Sequence, residues 1–186
     1  MKLFIKNMND LHSLLLVETE LVKLGLQPVN ISMGETEVLE DLNLPQRIQL
    51  RLALRQSGLE FLENKTEILV HRVKYTIIDI VYGDKTPAQN LSAFLSSTLG
   101  YDYTYISNLF SAVMNITIEK YYICHKIERV KQLLLYEDLT LTEIAYKMRY
   151  SSASHLSSQF KKITGTTPSA FKNVHRNSRH VPVPCG

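Results

Sequence analysis

The chain has 186 residues, 45% apolar and 21% charged, and its 21 Lys and Arg against 18 Asp and Glu leave a net charge of +3. That is the composition of an ordinary globular protein of one large or two small domains, and it excludes collagen-like and disordered classes. The longest apolar stretches, such as 11–17 and 77–81, fall far short of the roughly 20 residues needed to span a bilayer, so no membrane partner is expected.

The opening stretch MKLFIKNMND reaches Lys6, Asn7 and Asp10 before any sustained apolar run, which does not fit a secretory signal. Leu3 and Ile5 alternate with Lys2 and Lys6 as in a strand. Asp10 then caps a segment whose Leu11, Leu14, Leu15, Val17, Leu21 and Leu24 repeat at helical spacing up to Gly25. PVNISM sets Val29, Ile31 and Met33 on one strand face, Gly34 offers a turn, and TEVLEDL forms a returning strand. Pro45 opens a second helix with Ile48 and Leu52 inward beside Leu50 and Leu54, and Ser57-Gly58 closes it before a short strand, LEFL. The order strand, helix, strand, strand, helix, strand predicts a ferredoxin-like split βαβ domain over residues 1–64, with one sheet face under two helices.

From Lys65 onward strand signals disappear, and the fold class is α+β with an all-α second domain over 65–174. Apolar residues at 69, 73, 77 and 80 or 81 make a helix ending at Gly83. Thr86-Pro87-Ala88-Gln89 has the form of a helix start, with threonine as cap and proline at the first helical position. Residues 117–136 predict a helix of about 30 Å. Thr140-Leu141-Thr142-Glu143 is a capping box, and Thr167-Pro168 is another helix start. Seven helices are expected here, followed by a disordered tail over 175–186. Residues 1–66 carry 7 basic and 9 acidic side chains, net −2, and residues 67–186 carry 14 and 9, net +5. A basic second half permits a polyanion partner.

The helical half contains a repeat. LSSTLGY, ending at Tyr101, aligns with IAYKMRY, ending at Tyr150, at an offset of 49, which pairs Leu95 with Ile144 and Leu99 with Met148. Past the turn the offset is 50, pairing Ile106 with Leu156 and Phe110 with Phe160. Each copy predicts helix, tight turn, helix, and two such units joined by a long helix can enter successive major grooves, which recur about every 34 Å. With Leu156, Phe160 and Ile163 inward, Ser151, Ser154, Ser158 and Lys161 point outward, flanked by His155 and Lys162. With Ile106, Phe110 and Val113 inward, Thr104, Asn108 and Ser111 point outward, flanked by Tyr105 and Ser107.

LTLTEIAYKMRYSSASHLSSQFKKITGTTPSAF, residues 139–171, resembles the signature of the AraC/XylS family of bacterial transcription regulators, and FKKITGTTPSAF matches it almost position by position. The resemblance covers roughly residues 68–174. It implies a cytoplasmic, sequence-specific DNA-binding regulator, an activator by the family pattern, acting on double-stranded DNA with RNA polymerase as a further partner. It places Thr104, Ser107, Asn108, Ser154, His155 and Ser158 at base-reading positions. Lys161, Lys162, Arg149 and the helix starts at Thr140 and Ser152 are the expected phosphate contacts. Many relatives carry arginine where this chain has Asn108 and Ser158, and a glycine where it has Arg149.

The front domain resembles the heavy-metal-associated domains, whose Met-x-Cys-x-x-Cys loop corresponds here to Met8-Asn9-Asp10-Leu11-His12-Ser13. Asp10 and Ser13 replace both thiolates, so no soft-metal site and no cofactor is expected. The module is expected to serve for homodimerisation or for sensing an effector. Met8, Asp10 and His12 keep open the alternative of a weak metal-binding module, and the missing arginines that of a protein-interaction module with degenerate helix-turn-helix units. His175, His180 and Cys185 lack structural zinc spacing, and Cys124 suits helix packing; two cysteines give no disulfide framework. No phosphate loop, nucleophile elbow or paired catalytic carboxylates occur, so no enzyme is expected.

Overall fold

The computed structural model describes residues 1–83 and 89–176. The chain divides into two compact units, one of Met1–Thr76 with Gln89–Val113 and the other of Ile77–Ala88 with Met114–Gly186.

The first unit begins with β1 (Lys2–Lys6), α1 (Leu11–Lys23), β2 (Pro28–Ser32), β3 (Glu35–Val38), α2 (Leu44–Gln56) and β4 (Glu60–Leu62). The strands form one sheet in the order β2-β3-β1-β4 with every pairing antiparallel, so β3 lies between β1 and β2. Leu3 and Ile5 of β1 and Val38 of β3 share a core with Val17 and Leu21 of α1 and Leu50 and Leu54 of α2. Thr36 is buried among them and donates its hydroxyl to the Asn30 carbonyl, so it carries no unmet polar group into the core.

The two βα halves of this unit repeat each other at an offset of 33, a pattern concealed by their different residues. Asp10 and Asn43 both cap a helix, and each closes a capping box with Ser13 or Gln46. Val17 matches Leu50 and Leu21 matches Leu54, all fully buried. Both helices end alike: Gly25 and Gly58 adopt φ of 72° and 74°, and Leu26 and Leu59 donate back to the carbonyls of Leu21 and Leu54 at 3.0 Å. The left-handed position needs no Cβ, so glycine terminates each helix at little cost.

Several expected faces are corrected. On α2 the buried residues are Leu50 and Leu54, whereas Ile48 and Leu52 are exposed; on α1 Leu11 and Leu15 are exposed too. Each helix carries two apolar stripes, and only one faces the sheet. Val29 also points to solvent, because a register shift between Pro28 and Asn30 makes it the extra residue of a bulge.

Helix α3 (Lys65–Tyr82) follows, with Leu69, Val70, Val73, Ile77, Ile80 and Val81 buried. His71 is buried, and its Nε2–H donates to the Gly34 carbonyl at 3.0 Å; burial holds its pKa below the ordinary value, favouring the neutral ring. Tyr75 donates its hydroxyl to the Met8 carbonyl at 3.0 Å. The remaining helices are α4 (Leu91–Leu99), α5 (Tyr103–Met114), α6 (Ile118–Tyr136), α7 (Leu141–Lys147), α8 (Ala153–Thr164) and α9 (Pro168–Arg176). Thr86, Pro87 and Ala88 lie outside the described residues; Gln89 is not helical, and the cap of α4 is Asn90, whose side chain accepts from the Ala93 amide. At the other end α9 runs through His175 to Arg176, and His180 and Cys185 lie outside the described residues. Among those described, no helix is long and apolar enough to cross a membrane.

Candidate nucleic-acid interface

The helix pairs α4–α5 and α7–α8 are built to one plan, each within its own unit. Leu95, Leu99, Ile106 and Phe110 are buried in the first, and Ile144, Met148, Leu156 and Phe160 in the second. Residues 101–110 and 151–160 run through the same order of exposed, half-buried and buried positions. Asp102 and Ser152 start the second helix of each pair, Asp102 accepting from the Thr104 amide at 2.8 Å and Ser152 from the His155 amide at 3.0 Å. The likeness continues beyond the pairs: Thr117 and Thr167 cap α6 and α9, accepting from the amides of Lys120 and Ala170.

Each copy also has two left-handed residues, at Gly100 and Asn115 in the first and Arg149 and Gly165 in the second. Arg149 has φ of 53°, a conformation that costs a side-chain-bearing residue about 1 kcal/mol. The turn is closed by the Arg149 amide on Tyr146 O at 3.0 Å and the Tyr150 amide on Ala145 O at 2.8 Å.

On α5, Thr104, Tyr105 and Asn108 are exposed and Ser107 is half-buried; on α8, Ser154, His155 and Ser158 are exposed. Tyr105, treated in the sequence only as a flank, stands where the second copy has His155, and its ring stacks on Tyr101 at 5.6 Å. Read through to residue 105, the offset of 50 identifies this pairing. Val113 and Ile163, expected inward, are 45% and 38% exposed, because each lies in the last turn of its helix, beyond the buried Phe110 or Phe160.

Among the expected phosphate contacts, Lys161 and Lys162 are exposed in the last turn of α8. Ser152 uses its hydroxyl as the cap of α8. Thr140 is engaged differently: its amide and hydroxyl both donate to Glu143 Oε2, at 2.7 and 2.6 Å, and these bonds hold the Glu143 carboxyl below its ordinary pKa. A carboxylate at that helix start opposes an incoming phosphate. Lys147 is paired with Glu137 at 2.8 Å.

Behind α8 lies a buried cation. Lys126 of α6 is 8% exposed, with Nζ 3.9 Å from the centroid of the Tyr150 ring. Burial, with Arg149 nearby, lowers its pKa to about 8, while burial raises that of Tyr150 to about 12. Tyr150 donates its hydroxyl to Gln159 Oε1 at 2.7 Å, and its ring meets the edge of His155 at 5.3 Å. His155 Nδ1 lies 2.9 Å from Ser151 Oγ, so this exposed imidazole is held from both sides. Below pH 8 Lys126 is charged whether the chain is folded or not, and the full cost of burying it, of order 3 kcal/mol, falls on the folded state. Between pH 8 and the ordinary 10.5 the folded chain has released this proton while the unfolded chain retains it, so stability rises with pH. Tyr150 acts oppositely, losing its contribution only above its ordinary pKa of 10. Lys126→Met should therefore be more stable than wild type by roughly 1–3 kcal/mol at pH 7, with a smaller gap at pH 10. Urea denaturation at both pH values reads this, and a gap that does not change with pH would contradict it.

Met8 is fully buried in the first unit's core, and the Asp10 carboxylate accepts from the Ser13 amide at 2.8 Å, which lowers its pKa. Among the described residues no three His, Cys, Asp or Glu side chains come together as a metal site. Cys124 is half-buried on α6.

Residues 95–173 match the model of the helix-turn-helix domain family. The chain is 26% identical over 83 residues to YtdP of Bacillus subtilis (strain 168), an HTH-type transcriptional regulator. It is 32% identical over 77 residues to an HTH-type transcriptional regulator in the cgkA 5' region of Pseudoalteromonas carrageenovora. The matched stretches are 45% and 41% of this chain but 11% and 45% of those relatives, so the chain spans less than half of their length. A solved transcriptional regulator from Chromobacterium violaceum, of the proteins containing an AraC-type DNA-binding domain, superposes with a TM-score of 0.53 at 17% identity, covering 62% of this chain and 97% of that one. At such identity the likeness is one of fold.

Proposed function

We propose that the protein is a sequence-specific DNA-binding transcription regulator of the AraC type, whose helices α5 and α8 are the recognition helices for successive major grooves of one duplex. The observation that carries this is the matching order of burial along residues 101–110 and 151–160, which turns a small polar face outward twice. Thr104 and Asn108 from the first copy, and Ser154, His155 and Ser158 from the second, read base edges. Ser107 contributes from the half-buried side of that face. Lys161 and Lys162 hold the backbone, with Arg149 and the amides at the start of α8 beside them; the Glu143 carboxylate makes Thr140 the weakest member of this set. Residues 65–174 form the DNA-binding part. Residues 1–64 form a ferredoxin-like module, a reading that rests on the strand order β2-β3-β1-β4, and serve in dimerisation or sensing. RNA polymerase is the partner such a regulator addresses.

Selection on random duplexes followed by footprinting tests the reading. Two short protected elements about 10 base pairs apart are expected, with affinity falling steeply as salt rises. Absence of any specific footprint at low salt would overturn it.

A further inference from the structure

The outer face of the two front helices is apolar without serving their own core. Leu11, Leu15 and Val22 on α1 and Leu44, Ile48 and Leu52 on α2 are all exposed, Leu11 by 68% and Leu44 by 71%. The stripes the core needs, Val17 with Leu21 and Leu50 with Leu54, lie on the other side of each helix. The offset of 33 pairs Leu11 with Leu44 and Leu15 with Ile48, and because α1 and α2 run antiparallel, with Gln46 at the start of α2 donating to the Leu24 carbonyl past the end of α1, the two stripes run in opposite directions across one face. Large apolar side chains gathered in this way mark an association surface.

The charges bordering the stripes identify the occupant. Glu18 on α1 stands where α2 has Arg51, and the next equivalent position holds Val22 on α1 and Arg55 on α2. Helix α2 carries Arg47, Arg51 and Arg55 and no acid, whereas α1 carries Glu18 and Glu20 with one lysine, Lys23. Within the chain Arg47 and Arg51 both pair with Glu63, and Glu20 pairs with Lys23. Glu18 and Arg55 enter no salt bridge among the described residues. Stacking α1 on α1 would oppose acids, and α2 on α2 would oppose arginines. Setting α1 against α2 matches apolar to apolar and acid to base, and exchanging the two copies returns the same pairing, as a two-fold interface requires.

We propose that this face joins two copies of the chain, α1 of each lying against α2 of the other, with the Glu18 edge of α1 facing the arginine edge of α2 on both sides of the axis. The proposal gives the dimerisation reading of the front module a surface, and it stands whether or not α5 and α8 bind DNA.

Sedimentation equilibrium of the full chain without DNA tests it. Wild type should form a concentration-dependent dimer, and Ile48→Glu, at an already exposed position, should raise the dimer dissociation constant by roughly 100-fold or more while leaving the circular dichroism spectrum unchanged. Glu18→Arg, which sets a cation against the arginine edge of the partner's α2, should weaken the dimer by roughly 5-fold or more, since the change occurs twice. A wild-type chain that is monomeric throughout would overturn the proposal. So would a dimer indifferent to a folded Ile48→Glu, or one that Glu18→Arg leaves unchanged or strengthens. Loss of the footprint with the dimer intact would instead remove only the DNA-binding reading.

Discussion

Phe160→Ala is expected to destabilise the second unit by about 3–5 kcal/mol, the range for emptying a fully buried phenylalanine site. The ring is 0% exposed, lies edge-on to Phe171 at 5.5 Å, and shares a core with Ile144, Leu156 and residues of α6. Domains of this size have only about 5–15 kcal/mol of stability in total, so the variant's second unit should be near its unfolding point at ordinary temperature. Urea unfolding followed by two probes checks this. The tyrosine environment around Tyr150 should be lost early, while the sheet signal from β1–β4 should persist to the wild-type midpoint. A loss below about 1 kcal/mol would mean that the site collapses around the missing ring, and that α8 is not fixed by this residue. Phe110→Ala, at the equivalent position and also fully buried, should destabilise the first unit instead.

Asn108→Ala should lower affinity for a selected site by roughly 5- to 100-fold, the equivalent of about 1–3 kcal/mol for a bidentate contact to adenine. The loss should be confined to sequences with adenine at one position of one protected element. Lys161→Ala should differ in kind, weakening all sequences alike and reducing the salt slope by about one unit. Titrating each variant against the selected duplex and a scrambled one at two salt concentrations separates the two behaviours. Equal losses on both duplexes for Asn108→Ala would remove this residue from base reading. On the proposed reading, Asn108 meets the duplex without an arginine at its position, and in the second copy Ser158 supplies only a hydroxyl. That reading puts much of the discrimination on this one amide and on His155, which Ser151 and Tyr150 hold in place.

The parts of this molecule that could be read from its residues are those where one apolar period is present. In α5 and α8 a single stripe, Ile106 with Phe110 or Leu156 with Phe160, has polar neighbours, so the inward and outward sides separate cleanly. In α1 and α2 two stripes compete. Period alone cannot choose between Ile48 with Leu52 and Leu50 with Leu54, and the sheet decides in favour of the second pair. Val29 departs from its strand period because a bulge changes the face of a strand without a signal in its own residue. The period that is right for Phe110 and Phe160 also points Val113 and Ile163 inward, but the core does not follow either helix to its last turn. The matching of the two βα halves was concealed because the equivalent residues differ in type, Ser13 against Gln46 and Glu18 against Arg51, while their backbone roles coincide.

The sheet order bears on how the chain is made. β1 is the first strand of the sequence, yet it lies in the interior, with β3 on one side and β4 on the other. Phe4 is opposite Glu35 in one ladder and Leu62 in the other, so its second neighbour is more than fifty residues away. During synthesis β1 is bare on both edges until the Glu35 region arrives, and bare on one edge until Leu62 does. The sheet therefore closes through its longest-range strand pairing, and that closure is the step expected to be slow in stopped-flow refolding.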